Sequence, residues 1–181
     1  MSEIYDVLIA GAGISGLALA RALYRLGINA LVLEQLTNDG DAGLAINLPG
    51  NAIAALAQLG RGDAIGSYGR PVERREYRSA RDRLLFAVDE KQFWGDAITP
   101  RCVRRGDLTA LLASEFPTER VRRGVKIVAV EGEMGDIAVR TKDGAEFRGK
   151  VLVGADGVHS TVRGLRFESG SPASARLASA S

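Results

Sequence analysis

The chain has 181 residues, 46% of them hydrophobic, and a formal net charge of +2 from 24 basic and 22 acidic residues. That length and composition predict a substantial packed domain, and charges scattered this evenly exclude a basic nucleic-acid arm or a basic membrane-binding patch. One cysteine, Cys102, and one histidine, His159, exclude an internal disulfide and a Cys/His metal cluster, so no metal site is predicted.

The start, "MSEIYD", is acidic where a secretory signal would be basic. The apolar run behind it is interrupted by glycine and is shorter than the ~20 residues of a membrane span. A soluble protein of the reducing cytoplasm is expected.

Residues 4–10, "IYDVLIA", read as a strand buried on both faces of a parallel sheet. The following segment reads as a helix with Leu19, Leu23 and Leu26 inward beside Ala22, and Arg21 and Arg25 on the opposite face. Gly16 and Ala20 also project toward the apolar side. Gly27 ends that helix, and "ALVLE" (30–34) is a second strand, which completes a right-handed βαβ unit.

Further on, "LPGNAIAALAQLG" (48–60) is a helix with Ile53, Leu56 and Ala57 on one face. Residues 72–88, strand-like but charged, with arginines interleaved, read as a half-exposed antiparallel layer. A helix begins at Asp107 as its N-cap and buries Leu108, Leu111 and Leu112. From Val125 to Val153 three β segments form a meander, with Asp143-Gly144 as one turn. The serine- and alanine-rich stretch after Glu168 offers little to bury and is expected to be disordered.

Gly11, Gly13 and Gly16 have the GxGxxG spacing, between a strand and a helix. Gly11 permits the tight turn, Gly13 lets a phosphate reach main chain, and Gly16 lets the helix lie close to the sheet. Gly11, Ala12, Gly13, Ile14, Ser15 and Gly16 are the candidate cofactor-binding residues, an anion site in which the helix N-terminus presents its unpaired N–H groups and no charged side chain is required. Glu34, 18 residues after Gly16, can accept hydrogen bonds from both hydroxyls of an adenosine ribose. Its charge disfavours a 2′-phosphate, so NADP is a poor fit here. These residues imply a dinucleotide, NAD or FAD, without choosing between them.

Two later stretches bear on that choice. "GADGVHSTVR" (154–163) resembles the Asp-Gly motif of FAD-dependent aromatic hydroxylases, the p-hydroxybenzoate hydroxylase-like monooxygenases. "RRGDLTALL" (104–112) resembles the same family's Arg-x-x-Leu helix start. With the glycine turn, "LVLE" and the 48–60 helix, they stand in the family's order across residues 4–165.

The resemblance implies an α/β fold: a Rossmann-like FAD-binding domain, a parallel sheet with a β-meander, carrying an incomplete antiparallel substrate-domain layer. It divides the chain into a core at 1–69, substrate-domain strands at 70–104, the core continued at 105–167, and a tail at 168–181. It implies that Arg105 points toward the FAD diphosphate and that Asp156 and Gly157 approach the cofactor from their strand end. It also implies hydroxylation of an aromatic or similarly electron-rich small molecule, with NADH or NADPH as transient reductant and dioxygen as the oxygen source. Arg74, Arg75 and Arg78 are candidates for binding an acidic substrate. No catalytic side chain is assigned.

Members of that family continue well past the Asp-Gly motif, with a second glycine-aspartate motif, whereas "GLRF" and the Ser/Ala tail follow Arg163 here. The expectation is therefore an N-terminal portion, either a truncated or rearranged product with weak FAD affinity or a chain whose missing half a complementing chain supplies; in the rival assembly-module reading its exposed sheet edge pairs with a partner or a second copy. The competing readings are a non-catalytic nucleotide-binding module and an NAD-linked dehydrogenase.

Overall fold

The computed structural model describes residues 3–38 and 44–165; the Ser/Ala-rich tail lies outside them. In chain order the elements are β1 (Ile4–Ala10), α1 (Ile14–Arg25), β2 (Ala30–Glu34), β3 (Ala45–Leu48), α2 (Gly50–Gln58), α3 (Gly62–Ile65), β4 (Arg70–Pro71), β5 (Arg74–Arg78) and β6 (Leu84–Asp89). They continue with α4 (Glu90–Trp94), β7 (Arg101–Arg104), α5 (Arg105–Ala113), a 3₁₀ turn at Thr118–Arg120, β8 (Val121–Arg123), β9 (Ile127–Glu133), β10 (Asp136–Thr141), β11 (Glu146–Gly154) and α6 (Thr161–Arg163). The fold is mixed α/β. Its contacts divide it into two compact units, residues 1–38 with 116–181, and residues 39–115.

The first unit holds a six-stranded sheet in the order β8-β2-β1-β11-β10-β9. The four strands β8, β2, β1 and β11 run parallel, and β10 and β9 return antiparallel as the meander. The chain leaves β1 for β2 on one side, while β11 joins β1 on the other. Strand order thus reverses at the C-terminal end of β1, where parallel sheets open a crevice. Ala10 pairs with Leu33 on one flank and with Gly154 on the other, so three strand ends meet there.

One face of this sheet buries Leu8, Ala10, Leu31 and Leu33 with Ile127, Ile137, Val139 and Val162. Strand alternation turns Ile9 and Val32, both fully buried, to the other face, where α1 packs on β1 and β2. Each such aliphatic side chain removed from water contributes about 1.5–3 kcal/mol, which is why the apolar runs of β1 and β2 become central strands.

Helix α1 presents a different face from the one its leucine spacing suggests. Gly16, Leu17, Ala20 and Arg21 are buried, whereas Leu26 is 73% exposed and Arg21 only 6%. Gly16 decides the rotation: a Cβ there would stand 1.9 Å from the Gly11 carbonyl oxygen, so the helix is seated on its glycine. The leucine line is swung aside as a result.

In the second unit β3, β7 and β4 form a small antiparallel sheet and β5 with β6 a separate hairpin. Helix α5 buries Leu108, Leu111 and Leu112 as expected. It begins at Arg105, with Arg104 in the N-cap position, so Asp107 lies in the first turn. There its charge favours the positive end of the helix dipole without a cap hydrogen bond. On α2, Leu56 is buried, while Ala57, expected inside, is exposed.

Candidate dinucleotide site

The turn after β1 is shaped by contacts that only glycine permits. Gly11 has φ +102°, its amide donates to the Leu33 carbonyl at 2.8 Å, and an added Cβ would approach the Ala155 carbonyl oxygen to 2.5 Å. Gly11 is therefore clamped between the ends of β2 and β11. Gly13 differs. Its φ of −75° and ψ of −174° suit any residue, so conformation alone does not require glycine there.

Gly13 is the N-cap of α1, and the helix begins with neither a side-chain cap nor an acidic residue in its first turn. Leu17 donates to Gly13 at 2.9 Å as the helix starts. The amides of Ile14, Ser15 and Gly16 are those an α-helix leaves without intrahelical acceptors. Ser15 is exposed, and Gly13 and Ile14 are half-buried. The arrangement suits an anion held by main chain and the positive helix end.

Glu34 ends β2 beside this turn. Its Oε2 accepts the Ala12 amide at 2.6 Å and its Oε1 accepts the Leu36 amide at 2.8 Å. The carboxylate thus reaches back to the glycine turn and is fixed by two main-chain donors. Each oxygen keeps acceptor capacity, so hydroxyl donors can still bind it.

On the other flank, Ala155 donates to the Ala10 carbonyl at 2.8 Å and carries the chain past Gly11 into the Asp-Gly turn. Gly157 has φ +85°, a left-handed conformation that explains glycine at this position. The Asp156 carboxylate accepts the Ser160 hydroxyl at 2.6 Å and the amides of Thr161 at 2.6 Å and Val162 at 3.1 Å. Ser160 in turn accepts the Arg163 amide at 3.0 Å and caps α6. Burial pushes the Asp156 carboxyl upward, but the Ser160 hydroxyl and the backbone donors outweigh it and leave it below the usual value. The main chain of the motif lies beside Gly11, while the carboxylate is occupied with building α6. His159 is exposed.

Arg105 belongs to the second unit. Its amide donates to Leu44 at 2.8 Å, and its half-buried side chain forms no ion pair among the described residues. The arginines of β5 are engaged within their own layer. Arg74 and Arg78 both bind Glu76, Arg78 also binds Asp82, and Arg75 donates to Glu90 at 2.6 Å. Glu90, only 2% exposed, also accepts the Trp94 indole at 2.8 Å, and the Trp94 ring fills the space a side chain at Gly50 would need. Sequence reasoning missed this buried carboxylate because it sits among exposed charges in a segment without periodicity. These partners leave the β5 arginines poor candidates for an acidic substrate.

The family described as "FAD binding domain" matches residues 4–171. The chain belongs to the FAD-binding domain family. Monooxygenase 1 of Arabidopsis thaliana is 33% identical over 165 residues, covering 90% of this chain and 40% of that protein. The phenazine 1,6-dicarboxylic acid hydroxylase PhzS of Lysobacter antibioticus is 32% identical, covering 87% of this chain and 42% of its own length. The crystal structure of Klebsiella pneumoniae HpxO complexed with FAD and uric acid superposes with a TM-score of 0.77 at 27% identity, over 88% of this chain and 41% of that one. This FAD-binding domain spans about two fifths of the length of the relatives it matches.

Within the domain, the structure brings Gly11 to Gly16, Glu34 and the Asp156-Gly157 main chain together at the C-terminal ends of β1, β2 and β11. The residues fit a dinucleotide: an uncapped helix start, a glycine there that its own backbone does not demand, and a carboxylate fixed at the neighbouring strand end.

Proposed function

We propose that this chain is the cofactor-holding portion of a flavin monooxygenase that uses NADH or NADPH to hydroxylate an aromatic or similarly electron-rich small molecule. The amides of Ile14, Ser15 and Gly16 bind the FAD diphosphate over Gly13, and Glu34 accepts hydrogen bonds from the adenosine ribose. The Asp156-Gly157 turn passes its main chain along the cofactor while the Asp156 carboxylate holds that turn in shape. Bound FAD supplies the redox chemistry that connects nicotinamide to dioxygen. The protein's part is to position the cofactor and exclude water from it.

The observation that carries this reading is the uncapped start of α1 beside a Glu34 carboxylate bonded to the Ala12 amide. Relatives named as hydroxylases, and a structural neighbour that holds FAD with uric acid, support the substrate class. The single cysteine fits a reducing cytoplasm. The part of those relatives that the chain covers, about two fifths of their length, includes the glycine turn, Glu34 and the Asp-Gly turn, which supports the cofactor-holding reading. Its exposed sheet edges favour self-association or a complementing chain.

Titration with FAD and with NAD, followed by flavin absorbance and by calorimetry, tests the proposal. FAD binds and NAD does not; Gly13→Val abolishes FAD binding, and Glu34→Gln weakens it by about tenfold, the loss of a charge-assisted hydrogen bond. Equal FAD affinity in all three proteins, or a preference for NAD, overturns it.

A further inference from the structure

The tip of the Asp-Gly turn takes its shape from hydrogen bonds. Gly157, Val158 and His159 are exposed, Val158 to 78%, so packing does not fix them. Behind the tip, Val162 is 9% exposed within the main core cluster, and a Cβ at Gly154 would stand 3.3 Å from it. Helix α6, three residues long, is too short to be stable through its own backbone bonds. A closed run of side-chain bonds joins the anchored Val162 to the free tip.

Ser160 stands at the centre of that run. Its half-buried hydroxyl donates to Asp156 Oδ1 at 2.6 Å and accepts the Arg163 amide at 3.0 Å. Asp156 Oδ2 accepts the Thr161 and Val162 amides, and the Arg163 guanidinium returns to the Val158 carbonyl at 2.8 Å. The ring closes over residues 156–163 and fastens the tip on both sides. A hydroxyl serves both of Ser160's bonds because it donates and accepts. Alanine would make neither, and aspartate would cap α6 but set a second carboxylate against Asp156.

We infer that Ser160 is a positioning residue for FAD: acting through Asp156 and Arg163, it holds the 157–159 main chain in the shape the cofactor meets, so that binding does not have to order this loop. The inference rests on the reading of the Asp-Gly turn as part of the FAD site, and names the group that fixes the turn before the cofactor arrives.

Calorimetric titration of the full chain with FAD, alongside amide hydrogen exchange, tests the inference. Ser160→Ala is expected to weaken FAD binding by about tenfold, in line with the loss of an N-cap hydroxyl, and to speed exchange of the Arg163 amide. Ser160→Thr keeps a hydroxyl and restores both. Arg163→Ala, at an exposed position, leaves the cap intact and frees only the Val158 carbonyl, so its effect separates positioning of the tip from stabilisation of α6. It is expected to weaken FAD binding by about threefold while the amide of residue 163 stays protected. If the unmodified chain binds FAD and either alanine variant binds it equally well, or if Ser160→Thr binds no better than Ser160→Ala, the positioning role is overturned while the cofactor reading stands. An unmodified chain that binds no FAD overturns the cofactor reading and the positioning role with it.

Discussion

Gly16 has no room for even one more carbon. Its Cβ would sit 1.9 Å from the Gly11 carbonyl oxygen, and backbone cannot yield as a flexible side chain does. Gly16→Ala is expected to cost about 1–3 kcal/mol or more in urea denaturation and to weaken FAD binding, because α1 must lift from the turn whose amides it supplies. Asp156 is readable through pH. Its folded carboxyl lies below the ordinary value, so its contribution to stability is present above the unfolded carboxylate value of about 4 and is lost as pH falls through the lower folded one. Stability measured across that acid range should fall less steeply in Asp156→Asn than in the unmodified chain. Equal slopes would show that the bonds to Ser160, Thr161 and Val162 hold nothing in place.

Among the elements, β1 and β2 depend most on burial. Leu33 is 2% exposed within the main cluster, and Leu33→Ala is expected to cost about 2–5 kcal/mol in chemical denaturation. These strands were legible because an uninterrupted apolar run before a glycine turn has few other solutions. The meander was legible for a related reason, its Asp143-Gly144 turn, whereas residues 72–88 were legible only as an exposed antiparallel layer and not as the hairpin β5 and β6 form. The orientation of α1 was not, because its leucines have helical spacing but the seat of the helix is fixed by one glycine contact. Strand β8 was also hidden: "VRR" is three residues long and two-thirds charged, and only its pairing of Val121 with Val32 makes it a strand. At the site, spacing located the glycines and Glu34. It could not show that the Asp156 carboxylate turns to α6, since that depends on where Ser160, Thr161 and Val162 fall in three dimensions.

For the whole molecule, ligand binding and stability are linked. A cofactor that binds only the folded state at a hundred times its dissociation constant adds about 2.7 kcal/mol. FAD at that excess should raise the thermal midpoint, NAD should not, and Gly13→Val should erase the FAD effect. Calorimetry in the three conditions checks this. The first unit, which holds the glycine turn, Glu34 and Asp156, is where the stabilisation is expected to act.

Trp94 is the sole tryptophan and lies in the second unit, bonded to Glu90 and stacked over Gly50. Indole emission is therefore a local gauge of the arrangement around α2 and α4, blind to melting of the six-stranded sheet. Circular dichroism registers both units. A lag between the two optical signals during heating would separate their unfolding without any label.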